Sequence, residues 1–467
     1  MLFERIEDKG LSHYSYAVGC VREGVLAIVD PRRDIDVYLE LAAHHGMEIR
    51  FVLETHIHAD YASGARELSE RTGAQLCVSR YDAGETFEVS FPHRDLEDGD
   101  EVTLGNVRLR ALHTPGHTPE HLSFLVFDEV RHQEVPMLML SGDFLFVGSL
   151  GRPDLLGDEA KRGLAEKLFT SVRETLPDLP DGLEVHPAHG AGSMCGAGMS
   201  GRPFSTLGFE RMANPYLDPS LSREQFVEKI LSSVPPFPPY YRRMKAVNSK
   251  GPRILGGVPR LEGMPPADLA EELEAGRAVA VDLRGQLPFG EAHVPGSFGI
   301  GGGSGVSTWA SWMVPYDQPI FLIADAGADL EPAVRSLIRV GLDDARGFLD
   351  GGFEAWLAAG LPTSSTEQLA PGALRDLNGE IRVVDVRTAN EYAIGHVEGA
   401  THLMGGDLAT EIPETLGPDD RIAVICNTGY RSTVAASVLE RAGFSSVANA
   451  TGGMVAWEEA GLPVVRD

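Results

Sequence analysis

The chain has 467 residues, 43% of them hydrophobic, with 40 basic against 68 acidic side chains and a net charge of −28. That length suits about three domains, and the acidity excludes nucleic acid and anionic membrane surfaces as partners. No apolar run approaches the ~18–20 residues of a membrane span, so a soluble protein is expected.

The N-terminus, Met1-Leu2-Phe3-Glu4-Arg5, is too charged for a signal peptide. Four scattered cysteines, Cys20, Cys77, Cys195 and Cys426, form no disulfide framework, which suits a reducing, cytoplasmic compartment.

In chain order, Val25-Leu26-Ala27-Ile28-Val29-Asp30 reads as a buried strand. Ile49-Arg50-Phe51-Val52 reads as a second one, leading into Leu53-Glu54-Thr55-His56-Ile57-His58-Ala59-Asp60-Tyr61. Ala62 to Gly73 suits a helix, and Leu122-Ser123-Phe124-Leu125-Val126-Phe127 another buried strand. Pro235-Pro236-Phe237-Pro238-Pro239-Tyr240-Tyr241 has too much proline for a helix or sheet interior and reads as an extended connector. A second loose segment with repeated Gly and Pro, Asn248 to Pro266, places the first domain boundary near residue 250.

The remainder is an internal repeat. Ala280-Val281-Asp282-Leu283-Arg284 answers to Val383-Val384-Asp385-Val386-Arg387, and His293-Val294-Pro295-Gly296 to His396-Val397-Glu398-Gly399. Gly351-Gly352-Phe353-Glu354-Ala355-Trp356 answers to Gly452-Gly453-Met454-Val455-Ala456-Trp457. The near-constant offset implies two copies of one small α/β domain with a mainly parallel sheet.

Four clusters of metal-ligating residue types fall in the first domain, each where a strand should give way to a turn. They are His56, His58 and Asp60; His113 and His117; Asp143; and His186 and His189. Any one alone is an ordinary core or turn residue. Four in this order suit zinc, iron or manganese.

The stretches Glu54-Thr55-His56-Ile57-His58-Ala59-Asp60, Pro115-Gly116-His117-Thr118, Ser141-Gly142-Asp143, Gly151-Arg152-Pro153-Asp154 and Pro187-Ala188-His189-Gly190 resemble the metallo-β-lactamase superfamily. The first domain, residues 1–245, resembles its persulfide dioxygenase branch. The resemblance implies an αββα sandwich and one Fe(II) per chain, held by His56, His117 and Asp143. A face of two histidines and one carboxylate leaves metal positions open, as oxidation of a substrate sulfur requires. Redox-silent zinc would instead activate water for hydrolysis. The residues alone suit both: His56, His58 and His117 equally fit the zinc of a glyoxalase II-type thioester hydrolase.

The position after Asp60, a histidine in hydrolytic members of the superfamily, is Tyr61. That loss weakens a second metal site. His58, Asp60 and His189 are therefore expected to orient ligands and water by hydrogen bonds. Tyr61 is expected either to offer a hydroxyl near the open face or to pack. Arg152 is expected either to hold a substrate carboxylate through its fork geometry or to brace its loop against Asp154. Cys195 is expected either to relay persulfide sulfur or to fill a tight loop. Cys20 and Cys77 are expected to be buried and inert.

In the last repeat an apolar run, Ile422 to Ile425, leads to Cys426, the loop Asn427-Thr428-Gly429-Tyr430, Arg431 and a helix expected to begin near Ser432. Backbone N–H groups of such a loop cradle an anion. With Arg431 and the helix N-terminus they are expected to lower the thiol pKa, giving a nucleophile. The middle repeat carries Ala324 opposite Cys426 and Asp329 opposite Arg431. It is expected to be inert, to bridge the active domains and to mediate self-association.

Both repeats resemble rhodanese domains, over 258–364 and 368–467. The resemblance implies that Cys426 becomes a persulfide beside Arg431, within the loop Asn427, Thr428, Gly429, Tyr430 and Ser432. Dual-specificity phosphatases of the same fold have one more residue between cysteine and arginine, so the shorter loop favours a sulfur anion over a phosphate ester. The three domains together resemble persulfide dioxygenase–sulfurtransferase fusions. The implied chemistry is oxidation of a low-molecular-weight thiol persulfide, such as glutathione persulfide, by O2 to sulfite. It is coupled at Cys426 to sulfur transfer with sulfite or thiosulfate as partner. A homo-oligomer is expected, without nucleic acid or membrane partners.

Overall fold

The computed structural model describes residues 1–377 and 379–466. The chain divides into two compact units: Met1–Val258 with Ile338–Gly341, and Pro259–Leu337 with Leu342–Asp467. No helix among the described residues is long and apolar enough to cross a membrane.

The first unit contains two six-stranded sheets. One runs in chain order through Leu2–Asp8, His13–Cys20, Val25–Val29, Glu48–Leu53, Gln75–Ser79 and Arg94–Leu96. The other runs, edge to edge, through Ser205–Thr206, Glu184–Pro187, Leu138–Gly142, Leu122–Asp128, Val107–His113 and Glu101–Leu104. Side chains alternate between the two faces of a strand, and this explains the layering. Val25, Ala27 and Val29 enter a core shared with Phe124, Val126, Leu138 and Leu140 of the second sheet. Leu26 and Ile28 point the other way, onto Tyr38 of helix Asp36–His45 and Leu68 of helix Ala65–Thr72. On the outer face of the second sheet, Leu125, Phe127 and Met139 meet Leu168 and Val172 of helix Asp158–Thr175. The result is the αββα sandwich that the resemblance implies.

Strands end where the ligand clusters begin. Glu48–Leu53 runs into His56, Leu138–Gly142 into Asp143, and Glu184–Pro187 into His189. Loops at strand ends on a rigid sheet are the natural place for a site.

The proline-rich stretch is more than a connector. Helix Tyr241–Lys250 continues it and turns back onto the loop that carries His56 and His58. Tyr240 Oη donates to the Asp60 carbonyl at 3.2 Å, and Lys245 Nζ to the Ile57 carbonyl at 2.9 Å. Asn248 Nδ2 donates to the carbonyls of His58 and Tyr61, both at 2.8 Å. Backbone carbonyls left over by an irregular loop need donors, and this segment supplies them.

In the second unit both repeats build five-stranded, all-parallel sheets of the same order. The middle copy has Glu262–Met264, Ala345–Leu349, Ile320–Ile323, Val279–Asp282 and Phe298–Gly299. The last has Glu367–Leu369, Val447–Ala450, Ile422–Ile425, Arg382–Asp385 and Thr401–His402. Phe353 N–H donates to the Ala324 carbonyl at 3.1 Å, as Met454 N–H does to the Cys426 carbonyl at 2.8 Å. Ala324 therefore stands in the Cys426 position in space as well as in sequence.

Candidate functional site

His56 Nε2, His117 Nε2 and Asp143 Oδ2 lie within 4.8 Å of one another. The Asp143 oxygen is 3.8 Å from the first nitrogen and 3.4 Å from the second. All three atoms are buried and without a hydrogen-bond partner. An orphaned buried polar atom is costly; three on one face could hold a metal ion.

The tautomers agree with that reading. Thr55 Oγ1 donates to Asp30 Oδ2 at 2.9 Å and lies 2.9 Å from His56 Nδ1. Its proton is committed to the carboxylate, so His56 Nδ1 is the donor and Nε2 is bare. His117 Nδ1 lies 2.9 Å from the Arg152 carbonyl, an acceptor only, so its Nε2 is bare as well. Burial, then neighbouring histidine charge, pushes both imidazoles well below their ordinary pKa, into the neutral form that ligates.

The other polar residues close ranks around this face. His189 Nδ1 is 2.7 Å from Asp143 Oδ1 and Nε2 is 2.8 Å from Asp60 Oδ2. Burial opposes a charge on His189, but the two carboxylates raise its pKa well above the usual value. His58 Nε2 meets Asp30 Oδ1 at 3.1 Å and Glu54 Oε2 at 3.0 Å. Here too burial is overcome by the carboxylates, and the pKa rises to about 10. His121 Nε2 accepts the Asp143 backbone N–H at 3.0 Å.

At three residues the geometry favours one of the two expected roles. The Tyr61 hydroxyl donates to the Asp30 carbonyl at 3.2 Å and the ring is buried, so Tyr61 packs and offers nothing to the open face. Arg152 is 1% exposed. Its guanidinium donates to both Asp154 oxygens and to the carbonyls of Met194, Pro235 and Pro236, which uses all five N–H groups. It braces the loop and has no donor left for a substrate. The Cys195 thiol is buried, 3.8 Å from Tyr241 Oη, and burial pushes its pKa up to about 12. A protonated, enclosed thiol is a poor sulfur relay. Cys20 and Cys77 are buried in strands.

Sequence reasoning passed over Asp30, Thr55, His121 and Lys245. His121, four residues after His117, was within reach of a spacing argument. Asp30 was not: its role depends on a backbone turned to φ 51 and on partners that only folding supplies. A narrow cleft reaches His56 and His58, with Val89, Phe91 and Pro252 among its apolar walls. Its guanidinium is Arg66, held over the Phe91 ring at 5.8 Å.

In the last repeat Cys426 is buried, and Gly429 N–H and Ser432 Oγ donate to Sγ at 3.1 and 3.4 Å. The helix spans Tyr430–Arg441 and so begins two residues earlier than expected. Arg431 pairs with Glu391, its two terminal nitrogens donating at 2.8 and 2.6 Å, and it also interacts with the Cys426 thiol. Burial raises the Glu391 pKa, but Arg431 and the Thr388 N–H and hydroxyl bring it down to about 2. Glu391 is the capping-box residue of helix Ala389–Ile394. The middle copy has Pro288 at that position and Asp329 at the arginine, so both halves of the pair are lost together.

The metallo-beta-lactamase superfamily profile matches residues 8–189, and the rhodanese-like domain profile matches 265–359 and 370–460. The chain is 30% identical over 234 residues to the mitochondrial persulfide dioxygenase ETHE1 of Bos taurus, across 49% of this chain and 79% of that one. It is 34% identical over 242 residues to a hydroxyacylglutathione hydrolase of Anaeromyxobacter dehalogenans, across 46% of this chain and 86% of that one. A metallo-beta-lactamase crystal structure from Staphylococcus aureus subsp. aureus COL superposes with a TM-score of 0.67 at 33% identity, covering 75% of this chain and 98% of that one. The chain belongs to the metallo-β-lactamase superfamily, with persulfide dioxygenase homologues for its first domain and two rhodanese-like domains after it.

Proposed function

We propose that the first domain is a mononuclear Fe(II) persulfide dioxygenase and the last a sulfurtransferase acting through Cys426. The observation that carries this reading is the three-atom face of His56, His117 and Asp143, beside a His189 whose two ring nitrogens are both engaged and a His58 that keeps only Nδ1 without a partner. Both ring nitrogens of His189 are taken by carboxylates, and His58 Nε2 is held by Asp30 and Glu54. Tyr61 adds no ligand. One metal suits this arrangement better than two.

His56, His117 and Asp143 would hold the ion on one face and leave its other positions open. When bound, ferrous iron supplies the redox capacity that oxidation of a persulfide sulfur by dioxygen to sulfite requires. The chain's own contribution is orientation and exclusion of water. Thr55 and the Arg152 carbonyl set the imidazole tautomers, His189 fixes the Asp143 carboxylate, and the ligands are almost wholly buried. Arg66 in the cleft is the cation that meets a carboxylate of an anionic thiol such as glutathione persulfide. In the last repeat Gly429 N–H and Ser432 Oγ steady sulfur on Cys426, and sulfite or thiosulfate is the partner in transfer.

The hydrolase relative supports a second reading, a zinc thioester hydrolase with appended rhodanese domains. Metal analysis with oxygen uptake separates the two. About one iron per chain, with oxygen consumed and sulfite formed from glutathione persulfide, is expected. Zinc as the sole metal of active protein, thioester turnover and no oxygen demand would establish the hydrolase instead.

A further inference from the structure

The middle copy has lost its nucleophile, yet its surface is fitted to the helix that carries the persulfide loop of its neighbour. Helix Tyr430–Arg441 is gripped along its length. At its start Tyr430 Oη donates to the Gly301 carbonyl at 3.1 Å. Midway, Ser437 Oγ accepts the Gly299 N–H at 3.0 Å. Near its end Glu440 meets His293 Nε2 at 3.1 Å, while Arg441 donates to the Gly296 carbonyl and lies 4.1 Å over the Phe298 ring.

The loop itself is also touched. Gln286 of the middle copy lies against Gly429, where a side chain would collide with Gln286 Oε1. Gly429 has φ 97 and donates its N–H to Cys426 Sγ at 3.1 Å. Gln286 Oε1 is buried and makes no hydrogen bond, so the contact is one of packing. On the other side Gly305 leaves room for Tyr430: a Cβ there would stand 2.8 Å from the hydroxyl.

We propose that the middle copy is the positioning half of the transfer site, with Gln286 and the Gly301–Gly305 turn holding the Cys426 loop so that the Gly429 N–H stays aimed at sulfur. A cradle of backbone donors works only if its geometry is held before the charge arrives, and a displacement of about 1 Å at such a site costs up to roughly a hundredfold in rate. A duplicated domain freed from catalysis is a rigid wall against which that loop is set. Gln286 and Tyr430 are positioning residues here, acting through Gly429 and the helix rather than on substrate.

This inference rests on sulfur transfer at Cys426, and the test separates the two. In the full chain, thiosulfate:cyanide sulfur transfer is measured for wild type, Cys426→Ala, Gln286→Ala and Gln286→Met. Wild-type transfer that Cys426→Ala abolishes secures the underlying reading; its absence sinks that reading and the inference with it. Given transfer, Gln286→Ala is expected to lower kcat about tenfold with KM within about threefold, and Gln286→Met, which restores the bulk without the polar atom, to stay within about threefold of wild type. Gln286→Ala with unchanged kcat, or with a loss confined to KM, overturns the inference. If Gln286→Ala fails to fold, Gly305→Ala carries the same expectation: its φ of −78 accepts alanine, so any effect comes from crowding Tyr430. Unchanged kcat in that variant overturns the inference equally.

Discussion

The carbonyl oxygen of Arg152 lies 2.9 Å from Nδ1 of His117. Through its backbone Arg152 sets the tautomer of a candidate metal ligand, and through its side chain it ties Asp154 and three carbonyls into one loop. Arg152→Ala leaves Asp154 and those carbonyls without their donor. The expected cost is on the order of 3 kcal/mol, seen as a lower melting temperature of the first unit and reduced metal content. A variant that melts normally but shows a raised KM would instead return Arg152 to substrate binding.

The cation that faces the cleft is Arg66. Arg66→Ala is expected to raise KM for glutathione persulfide about tenfold, the worth of one charge-assisted hydrogen bond, with kcat changed little. Steady-state oxygen uptake reads both constants. A neutral persulfide should show no such effect, and equal losses for both substrates would rule out recognition of a carboxylate.

Thr55 relays Asp30 to His56. Thr55→Val keeps the shape and removes the relay, so His56 loses the partner that fixes its tautomer. Metal affinity is expected to fall about 10–100-fold, measured by chelator competition. Wild-type affinity in this variant would mean that the histidine is oriented by packing alone.

Gly116 precedes His117 at φ 149 and packs on helix Asp158–Thr175, where a Cβ would come 2.5 Å from Leu168 Cα. Ser171 Oγ ties the same loop down through the Pro115 carbonyl at 2.7 Å. Gly116→Ala must push the loop off the helix and His117 away from Asp143. A loss of metal affinity of about tenfold or more is expected, because a ligand set tolerates only about 0.5 Å of error. Ser171→Ala, which leaves the backbone in place, should have the smaller effect in the same titration.

Glu391 gives a pH signature. Its folded pKa of about 2 is below the ordinary 4.5, so ionised Glu391 favours the folded state. That contribution is complete above pH 4.5 and is lost as pH falls through the window down to about 2. Melting curves of wild type and Glu391→Gln are therefore expected to differ most at neutral pH and to converge on acidification. A gap that stays constant with pH would show that the Arg431 pair does not stabilise the fold.

Much of the architecture was legible in the chain. Strand Val25–Val29 and helix Ala65–Thr72 follow from local periodicity and turn residues, and the repeat announced two domains of one topology. The proline-rich stretch is the extended connector that its composition implies, but proline content speaks only of backbone conformation. That the segment supplies donors to the loop that carries His56 and His58 depends on where the following helix docks.

The sequence by itself determined which chemistry is available. Histidines and an aspartate sit at strand ends, a cysteine enters a glycine-containing loop, and the middle copy lacks both its thiol and its arginine. These are properties of residue type and spacing, and they survive without coordinates. Tertiary structure decided how each group is used. It placed Asp30 behind His56 and His58, gave Arg152 to Asp154 and Arg431 to Glu391, and turned the Tyr61 hydroxyl onto a backbone carbonyl. The physical reason is burial. In a dry interior every donor must find an acceptor, and which acceptor is nearest depends on residues far apart in the chain.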